Sequence, residues 1–152
     1  MELKSSAYKN GTPIPARYSC DGNSISPPLS WSGVPAGTRS LALILHDPDA
    51  PRPGGFTHWI VYNINPRTIS LPEGVPARAR LGGSVLQGRN DAGKDGYFGP
   101  CPPSGTHRYV LTLYALNTML NLMPGASQSQ VLQAMKGHVL QTATLMGTYT
   151  RR

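Results

Sequence analysis

Runs of apolar residues separated by turn-forming residues predict that this chain folds mainly into β-strands. Leucine, isoleucine, valine and aromatic residues recur in five segments, and glycine, proline, aspartate or serine lies between them. The clearest strand is 108–116, while 139–150 alternates between apolar and polar positions. The five predicted strands are 29–32, 40–46, 56–64, 108–116 and 139–150.

One segment near the C-terminus has the spacing of a helix instead. Its apolar residues follow a 3.6-residue period at Val131, Leu132, Met135 and Val139. Ser127 can cap the helix N-terminus after a Pro-Gly pair, and Gly137 lies where a helix is expected to stop. We therefore predict one short helix in a mainly β protein.

The segments between these elements are rich in proline and glycine. Apart from strand 29–32, residues 1–40 carry many prolines, which lack a backbone N–H and so favour sheet edges or crossovers. Residues 66–76 are predicted to form a loop. The glycine-rich span 81–99 has no Lys-Ser/Thr and no strand directly after it, so it is neither a P-loop nor a Rossmann turn. We predict that it forms a long ordered loop over a ligand pocket.

Composition agrees with a single β-rich domain spanning residues 1–152. The chain has 17 glycines and 15 prolines, too many for a helical protein, and 14% charged residues, too few for a disordered one. A chain of 152 residues is most simply one domain. No internal repeat or linker interrupts it.

The formal net charge of +7 does not by itself indicate nucleic-acid binding. The basic residues are scattered, and no run of five or more like charges forms a basic arm. A solvated basic face is the simpler interpretation, and attraction to phosphorylated or acidic partners is the alternative.

No apolar stretch reaches 18 residues and the first residues lack a signal-peptide core, so we expect a cytoplasmic protein without stable membrane insertion. It would be periplasmic if a signal peptide had been removed.

Two cysteines, Cys20 and Cys101, lie in turn-rich segments and form no Cys-x-x-Cys pair. We expect two free thiols near the pocket. A disulfide between them is the alternative if the protein is exported, because disulfides persist in oxidising compartments.

Candidate chemistry collects at the ends of the predicted strands. An Asp-Pro-Asp-Ala-Pro segment follows strand 40–46, and its prolines restrict the backbone so that Asp47 is aimed with little entropy to lose. His58 and His107 lie near the starts of two later strands, which could run side by side and bring both imidazoles to one rim. Imidazole donors beside a carboxylate suit a small ligand that carries a phosphate and an ammonium group.

Several segments together resemble the phosphatidylethanolamine-binding protein family, which includes the Raf kinase inhibitor protein. The segments are Ser26–Trp31, Asp47–Pro51, His58-Trp59, Tyr97–Pro103 and Gly105–Tyr109. The ends of the chain are similar to the bacterial and archaeal branch. The resemblance implies a β-sandwich-like fold with one anion pocket at the sheet rim. It also implies a homodimer and no cofactor.

The resemblance assigns the pocket residue by residue. Its implied ligand-binding residues are Asp47, Pro48, Asp49, Pro51, His58, Gly99, Pro100, His107 and Tyr109. Arg108 would instead pair with Asp49 and support the turn. This chain lacks the longer C-terminal helix of animal members, and it carries His46 just before the turn.

The favoured function is a binding module without catalytic residues. It would recognise a small phosphorylated or carboxylated ligand, such as a phosphoethanolamine head group. It would act as a regulator or inhibitor of a protein partner such as a kinase or protease. Affinity should fall from pH 6 to pH 8, because phosphate favours protonated imidazoles.

Three other functions fit the same residues. A His/Asp pocket is half of a hydrolytic triad, although no Gly-x-Ser-x-Gly elbow supplies a nucleophile. Two histidines and a carboxylate, drawn from His46, Asp47, His58 and His107, could form a metal site. The pocket could also be vestigial in a purely structural interaction protein.

Overall fold

A computed structural model describes residues 1–152 as a mainly β structure with one α-helix. The strands in chain order are β1 (Glu2–Lys4), β2 (Thr12–Pro13), β3 (Leu29–Ser32), β4 (Ser40–Asp47), β5 (Phe56–Ile64), β6 (Ser70–Leu71), β7 (Arg80–Gly82), β8 (Val85–Gln87), β9 (Thr106–Leu116) and β10 (Val139–Thr150). Helix α1 (Gln128–Met135) lies between β9 and β10, and a short 3-10 helix spans Ala16–Tyr18. The mainly β fold and all five predicted strands are confirmed, to within two residues at each end.

The strands form two sheets. The larger has the order β2-β10-β9-β4-β5-β8-β7, and its pairs are antiparallel except for β2 and β10. The smaller is antiparallel with the order β1-β3-β6. Leu3 and Trp31 of the smaller sheet share a core with Leu43 and Leu113 of the larger one. The two sheets therefore pack face to face around the main core.

A second core covers the opposite face of the large sheet. Ile44 and Ile60 pack there with Val131 and Met135 of α1. Since both faces of β4 are covered, every residue from Leu41 to Leu45 is at most 3% exposed. This burial explains why the β4 sequence is a continuous apolar run rather than an alternating one.

Helix α1 begins at the predicted cap. The Ser127 hydroxyl accepts from the Gln130 backbone N–H, and the Gln130 side chain accepts in return from the Ser127 N–H. The helix ends before Gly137, as expected, but Val139 begins β10 instead of extending the apolar face of α1. The 3.6-residue spacing that reached Val139 therefore did not indicate helix there, whereas the predicted strand 139–150 is confirmed.

The loop predictions were partly wrong. Strand β6 lies inside the predicted loop 66–76, and strands β7 and β8 form an edge hairpin that starts at Arg80 and extends into the span 81–99, which was predicted to cover the pocket. Strands β1 and β2 also lie in the proline-rich N-terminal region. Each of these strands has two or three residues, too few to show a period in the sequence.

No helix in the structure is long and apolar enough to cross a membrane.

Candidate functional site

The Asp47 carboxylate lies at the end of β4 and uses both of its oxygens inside the protein. Oδ1 accepts from the Asp49 backbone N–H at 2.8 Å and closes the turn. Oδ2 lies 2.6 Å from Nδ1 of His107, and both side chains are less than 10% exposed. Gly55 packs against the backbone of Asp47. Its φ is +76°, and a Cβ there would lie 2.3 Å from the Asp47 carbonyl oxygen, so only glycine fits.

The Asp47 contact fixes how His107 is oriented. Because an ionised carboxylate can only accept, Nδ1 of His107 is the donor in this hydrogen bond. Nε2 then remains as the ring nitrogen available to a ligand, and it has no partner within the protein.

His58 is anchored in the same way by a different acceptor. Its Nδ1 donates to the Phe98 carbonyl oxygen at 2.7 Å, which leaves Nε2 without a protein partner. Burial lowers the pKa of His58 below its ordinary value of 6.5, and the Phe98 carbonyl only partly opposes this shift. The neutral form of His58 is therefore the major one at pH 7 in the ligand-free protein.

Tyr109 lies between the two histidines. Its ring meets the His58 ring edge-on at a centroid distance of 5.3 Å and stacks with the His107 ring at 6.4 Å. The residue is fully buried, and its hydroxyl lies close to the Asp47 carboxylate and the Cys101 backbone without making a hydrogen bond of normal geometry to either. Burial raises its pKa, so the hydroxyl stays protonated and can donate.

These side chains line one cavity of about 150 Å³ at the rim of the large sheet. Its lining residues are Asp47, Ala50, Pro51, Arg52, Phe56, His58, Phe98, Cys101, Pro102, Pro103, His107 and Tyr109. The volume equals that of about five water molecules in the liquid. It suits a phosphate or a short carboxylate.

Larger grooves lie elsewhere on the surface. One of about 550 Å³ runs between β1 and β10, and one of about 590 Å³ lies beside α1. Two others measure about 220 Å³, beside β1 and β3, and about 330 Å³, beside His46. None of these four brings together buried histidines or carboxylates, so the smaller cavity is the candidate site.

Of the two arginines near this cavity, one is paired with a carboxylate and one is not. The Asp49 carboxylate turns outward to Arg108, with a contact of 2.8 Å from Nη2, so the predicted pair forms. The hydrogen bonds from Arg108 lower the pKa of Asp49 to about 2. Arg52 has no acidic partner, and its guanidinium carbon lies 5.5 Å from the Phe56 ring centroid. Arg52 is therefore the cation at the cavity that no carboxylate neutralises.

Of the residues assigned by resemblance, four lie outside the cavity lining. Asp49 faces Arg108, and Pro48 lines a different groove beside His46. Gly99 packs on the 18–24 segment, where a Cβ would lie 2.6 Å from the Tyr18 carbonyl oxygen. The Pro100 carbonyl accepts from the Cys20 N–H at 3.1 Å. Ligand contact by the other five assigned residues stays a prediction.

Sequence reasoning missed the cavity's aromatic and proline walls. Phe56 and Phe98 flank His58, and the Phe98 ring stacks on it at a centroid distance of 5.6 Å. The available signal was that Phe56 lies two residues before His58, on the same face of β5. No local signal places Phe98 or Arg52 in the wall.

The strands that carry the histidines are not neighbours, contrary to expectation. Strand β4 lies between β5 and β9, and its last residue, Asp47, bonds to His107 of β9.

His46 lies apart from the cavity, where Nε2 donates to the Gly54 carbonyl at 2.8 Å and Nδ1 accepts from Thr57. The structure has no group of three or more His, Cys, Asp or Glu side chains arranged to hold a metal ion.

The two cysteines form a disulfide, so the expectation of free thiols was wrong. Cys20 and Cys101 are 81 positions apart in sequence, and their Cα atoms are 5.4 Å apart. No free cysteine remains. Because Cys101 also lines the cavity, the disulfide joins the cavity wall to the 18–24 segment.

Comparison with known proteins identifies the family of this chain. The family model described as phosphatidylethanolamine-binding protein matches residues 4–150. The chain belongs to the phosphatidylethanolamine-binding protein family. Among its relatives, a UPF0098 protein of Methanothermobacter thermautotrophicus is 56% identical over 151 residues, with 99% of each chain covered. A UPF0098 protein of Pyrococcus horikoshii is 48% identical and matches all of this chain and 78% of its own length.

Solved structures of this family have the same fold. A putative phosphatidylethanolamine-binding protein homologue from Chlamydia trachomatis has a TM-score of 0.90 and 46% identity, with 99% of this chain and 97% of that chain covered. E. coli YbcL, described as a new member of the mammalian family, has a TM-score of 0.91 and 33% identity, with 99% and 98% covered.

Proposed function

We propose that this phosphatidylethanolamine-binding protein family member binds a small phosphorylated or carboxylated ligand in the cavity between His58 and His107. One observation carries the proposal. Two buried histidines are each anchored through Nδ1, and each presents an unpartnered Nε2 to the same small cavity. Anchored imidazoles reduce the conformational entropy that a ligand must remove on binding.

Binding of an anion should be coupled to uptake of a proton. With Nδ1–H committed to Phe98, a neutral His58 offers only a lone pair at Nε2, which repels a fully ionised oxygen. Either an imidazole must be protonated or the ligand must keep a proton. Each proton taken up lowers affinity by up to about tenfold per unit of pH rise. The expected loss from pH 6 to pH 8 is therefore up to about 100-fold for one proton.

Arg52 would supply a second contact for ligands that carry more than one negative charge. It is exposed, lacks an ion-pair partner and lines the cavity beside Phe56. The inner histidines would hold one charged group while Arg52 holds the outer one. The variant Arg52→Ala should weaken binding of a dianion such as succinate more than binding of acetate.

The direct test is calorimetric titration with phosphate, phosphoethanolamine and acetate at pH 6, 7 and 8. We expect saturable binding that weakens as pH rises and is lost in His107→Ala. His138→Ala is the matched control, because His138 is exposed and bonds to Asn117 away from the cavity. Equal binding by both variants would reject the site. Absence of binding by the unaltered protein would reject the function.

A regulatory or inhibitory role towards a protein partner is the biological use we propose for this cavity. Cys101 lies at the cavity, but it is in a disulfide and supplies no thiolate nucleophile. If a kinase or protease is held through the cavity, free phosphate should compete with it for binding. We also propose a homodimer in the cytoplasm or periplasm, and sedimentation of the purified chain would test the dimer.

A hydrolase is the second candidate, favoured by the 2.6 Å contact between Asp47 and His107. A carboxylate that orients an imidazole allows its Nε2 to remove a proton from water. Turnover of a simple ester such as p-nitrophenyl acetate that disappears in His107→Ala would support this candidate. A rate equal to the buffer rate would exclude it for esters.

A further inference from the structure

We propose that the Cys20–Cys101 disulfide is a redox gate of the cavity. The oxidised protein holds the wall segment 101–105 in place, and reduction by a dithiol releases this segment and opens the cavity. The effect of the gate on ligand affinity rests on the anion-binding function proposed above. The opening of the wall itself does not depend on that function.

The wall segment depends on the disulfide for its position. Cys101, Pro102 and Pro103 line the cavity together with Pro51. The hydrogen bond from the Cys20 N–H to the Pro100 carbonyl is the last backbone bond before β9 begins at Thr106. Residues 102–105 make no hydrogen bond to the rest of the protein, and the Cys101 backbone has only a contact with the Tyr109 hydroxyl.

The composition of residues 102–105 offers little to replace the covalent bond. Pro102 and Pro103 have no backbone N–H and cannot donate to a neighbouring strand or loop. Ser104 and Gly105 are exposed to solvent. Once the disulfide is broken, packing of Pro102 is the main remaining restraint on the wall, which leads directly into His107.

The disulfide is placed where a reductant can reach it. Cys20 is exposed and Cys101 is half-buried. A thiolate of an external dithiol would attack one sulfur, form a mixed disulfide and release the other cysteine. The second thiol of the reductant then closes its own disulfide and releases the second cysteine. Two electrons and two protons pass to Cys20 and Cys101, while the dithiol is oxidised to a disulfide.

This gate would make the cavity respond to the redox state of its surroundings. The chain has no third cysteine that could resolve or reshuffle the bond internally. The state of the cavity would therefore follow the external thiol–disulfide balance, closed in an oxidising compartment and open in a reducing one.

The first test compares phosphate binding by the oxidised protein and by the protein reduced with dithiothreitol, with free thiols counted in both. We expect no free thiols before reduction and two after it. Affinity for phosphate at pH 6 should fall by at least about tenfold on reduction, because the ligand must then order the free wall segment. The variant Cys20→Ser/Cys101→Ser should bind as weakly as the reduced protein, with or without dithiothreitol. Equal affinity of the oxidised and reduced forms would overturn the gate.

A second measurement separates failure of the gate from failure of the proposed function. The imidazole proton resonances of His58 and His107 should shift on reduction without any ligand, while those of the distant His138 should not. Such shifts in a protein that binds no phosphate would support the gate and reject the anion function. Unchanged His58 and His107 resonances in fully reduced, folded protein would overturn the gate whatever the protein binds. Far-ultraviolet circular dichroism of both forms identifies unfolding.

Discussion

Replacing Tyr109 with phenylalanine should stabilise the ligand-free protein, although most substitutions at buried positions destabilise. The Tyr109 hydroxyl is buried and makes no hydrogen bond of normal geometry, although the Asp47 carboxylate and the Cys101 backbone lie close to it, and its ring is fully enclosed. A buried polar group left unpaired costs about 1–3 kcal/mol. Phenylalanine removes the oxygen and keeps the ring, so the free energy of unfolding should rise by about 1–2 kcal/mol.

The same substitution should weaken ligand binding if the hydroxyl serves the ligand. A hydrogen bond to a charged group contributes about 1.5–3 kcal/mol, so phosphate affinity should fall by about tenfold to 100-fold. Urea unfolding and calorimetric titration measure the two effects on the same variant. Gained stability with lost affinity would identify Tyr109 as a residue held for the ligand at a cost to the empty protein.

Tyr97→Phe provides the matched control. The Tyr97 hydroxyl donates to the Tyr18 carbonyl oxygen at 2.7 Å, so its removal should destabilise by about 1 kcal/mol. If Tyr109→Phe destabilises as much as Tyr97→Phe, the Tyr109 hydroxyl has a partner in the empty protein and the reasoning fails.

Three further predictions follow from the disulfide and from two titrating side chains. Cys20→Ser/Cys101→Ser should lower the free energy of unfolding by about 4–5 kcal/mol, because the disulfide closes a loop over 81 positions and so restricts the unfolded chain. Urea unfolding measures this difference, and a variant as stable as the original protein would contradict the prediction. Proton resonances of His58 should titrate below pH 6.5 in the free protein, because burial lowers its pKa, and above that pH with phosphate bound; an unchanged midpoint would mean that phosphate does not contact it. Because the pKa of Asp49 is lowered to about 2, its contribution to stability is present above pH 4 and lost as pH falls towards 2. Thermal unfolding should show Asp49→Asn less stable than the original protein at pH 7, with the difference vanishing near pH 2; a difference independent of pH would exclude the ion pair with Arg108 as its cause.

The long strands could be predicted because buried strand positions are filled by apolar residues, which form recognisable runs in the sequence. Both faces of β4 are covered, so Leu41 to Leu45 form an unbroken apolar run, and turn-forming residues follow it. The helix could be predicted from its cap, since Ser127 and Gln130 form a reciprocal pair. Strands as short as β7 and β8 depend on pairing with distant segments, which leaves no periodic signal.

The candidate site was predictable only in part, because a sequence motif does not say which way a side chain turns. Asp47 and Asp49 are two residues apart in one motif, yet Asp47 faces the cavity and Asp49 faces Arg108. Phe98 enters the wall while its neighbour Gly99 packs on the 18–24 segment, because the local backbone is irregular there. The disulfide joins segments 81 positions apart, and only the folded structure brings them together.

A crystal structure of the oxidised protein grown with phosphoethanolamine tests the central claim most directly. Our account predicts the phosphate in the cavity, with its oxygens within hydrogen-bond distance of Nε2 of both His58 and His107. A cavity that stays empty at saturating ligand, or a phosphate bound instead in the groove beside α1 or between β1 and β10, would contradict it.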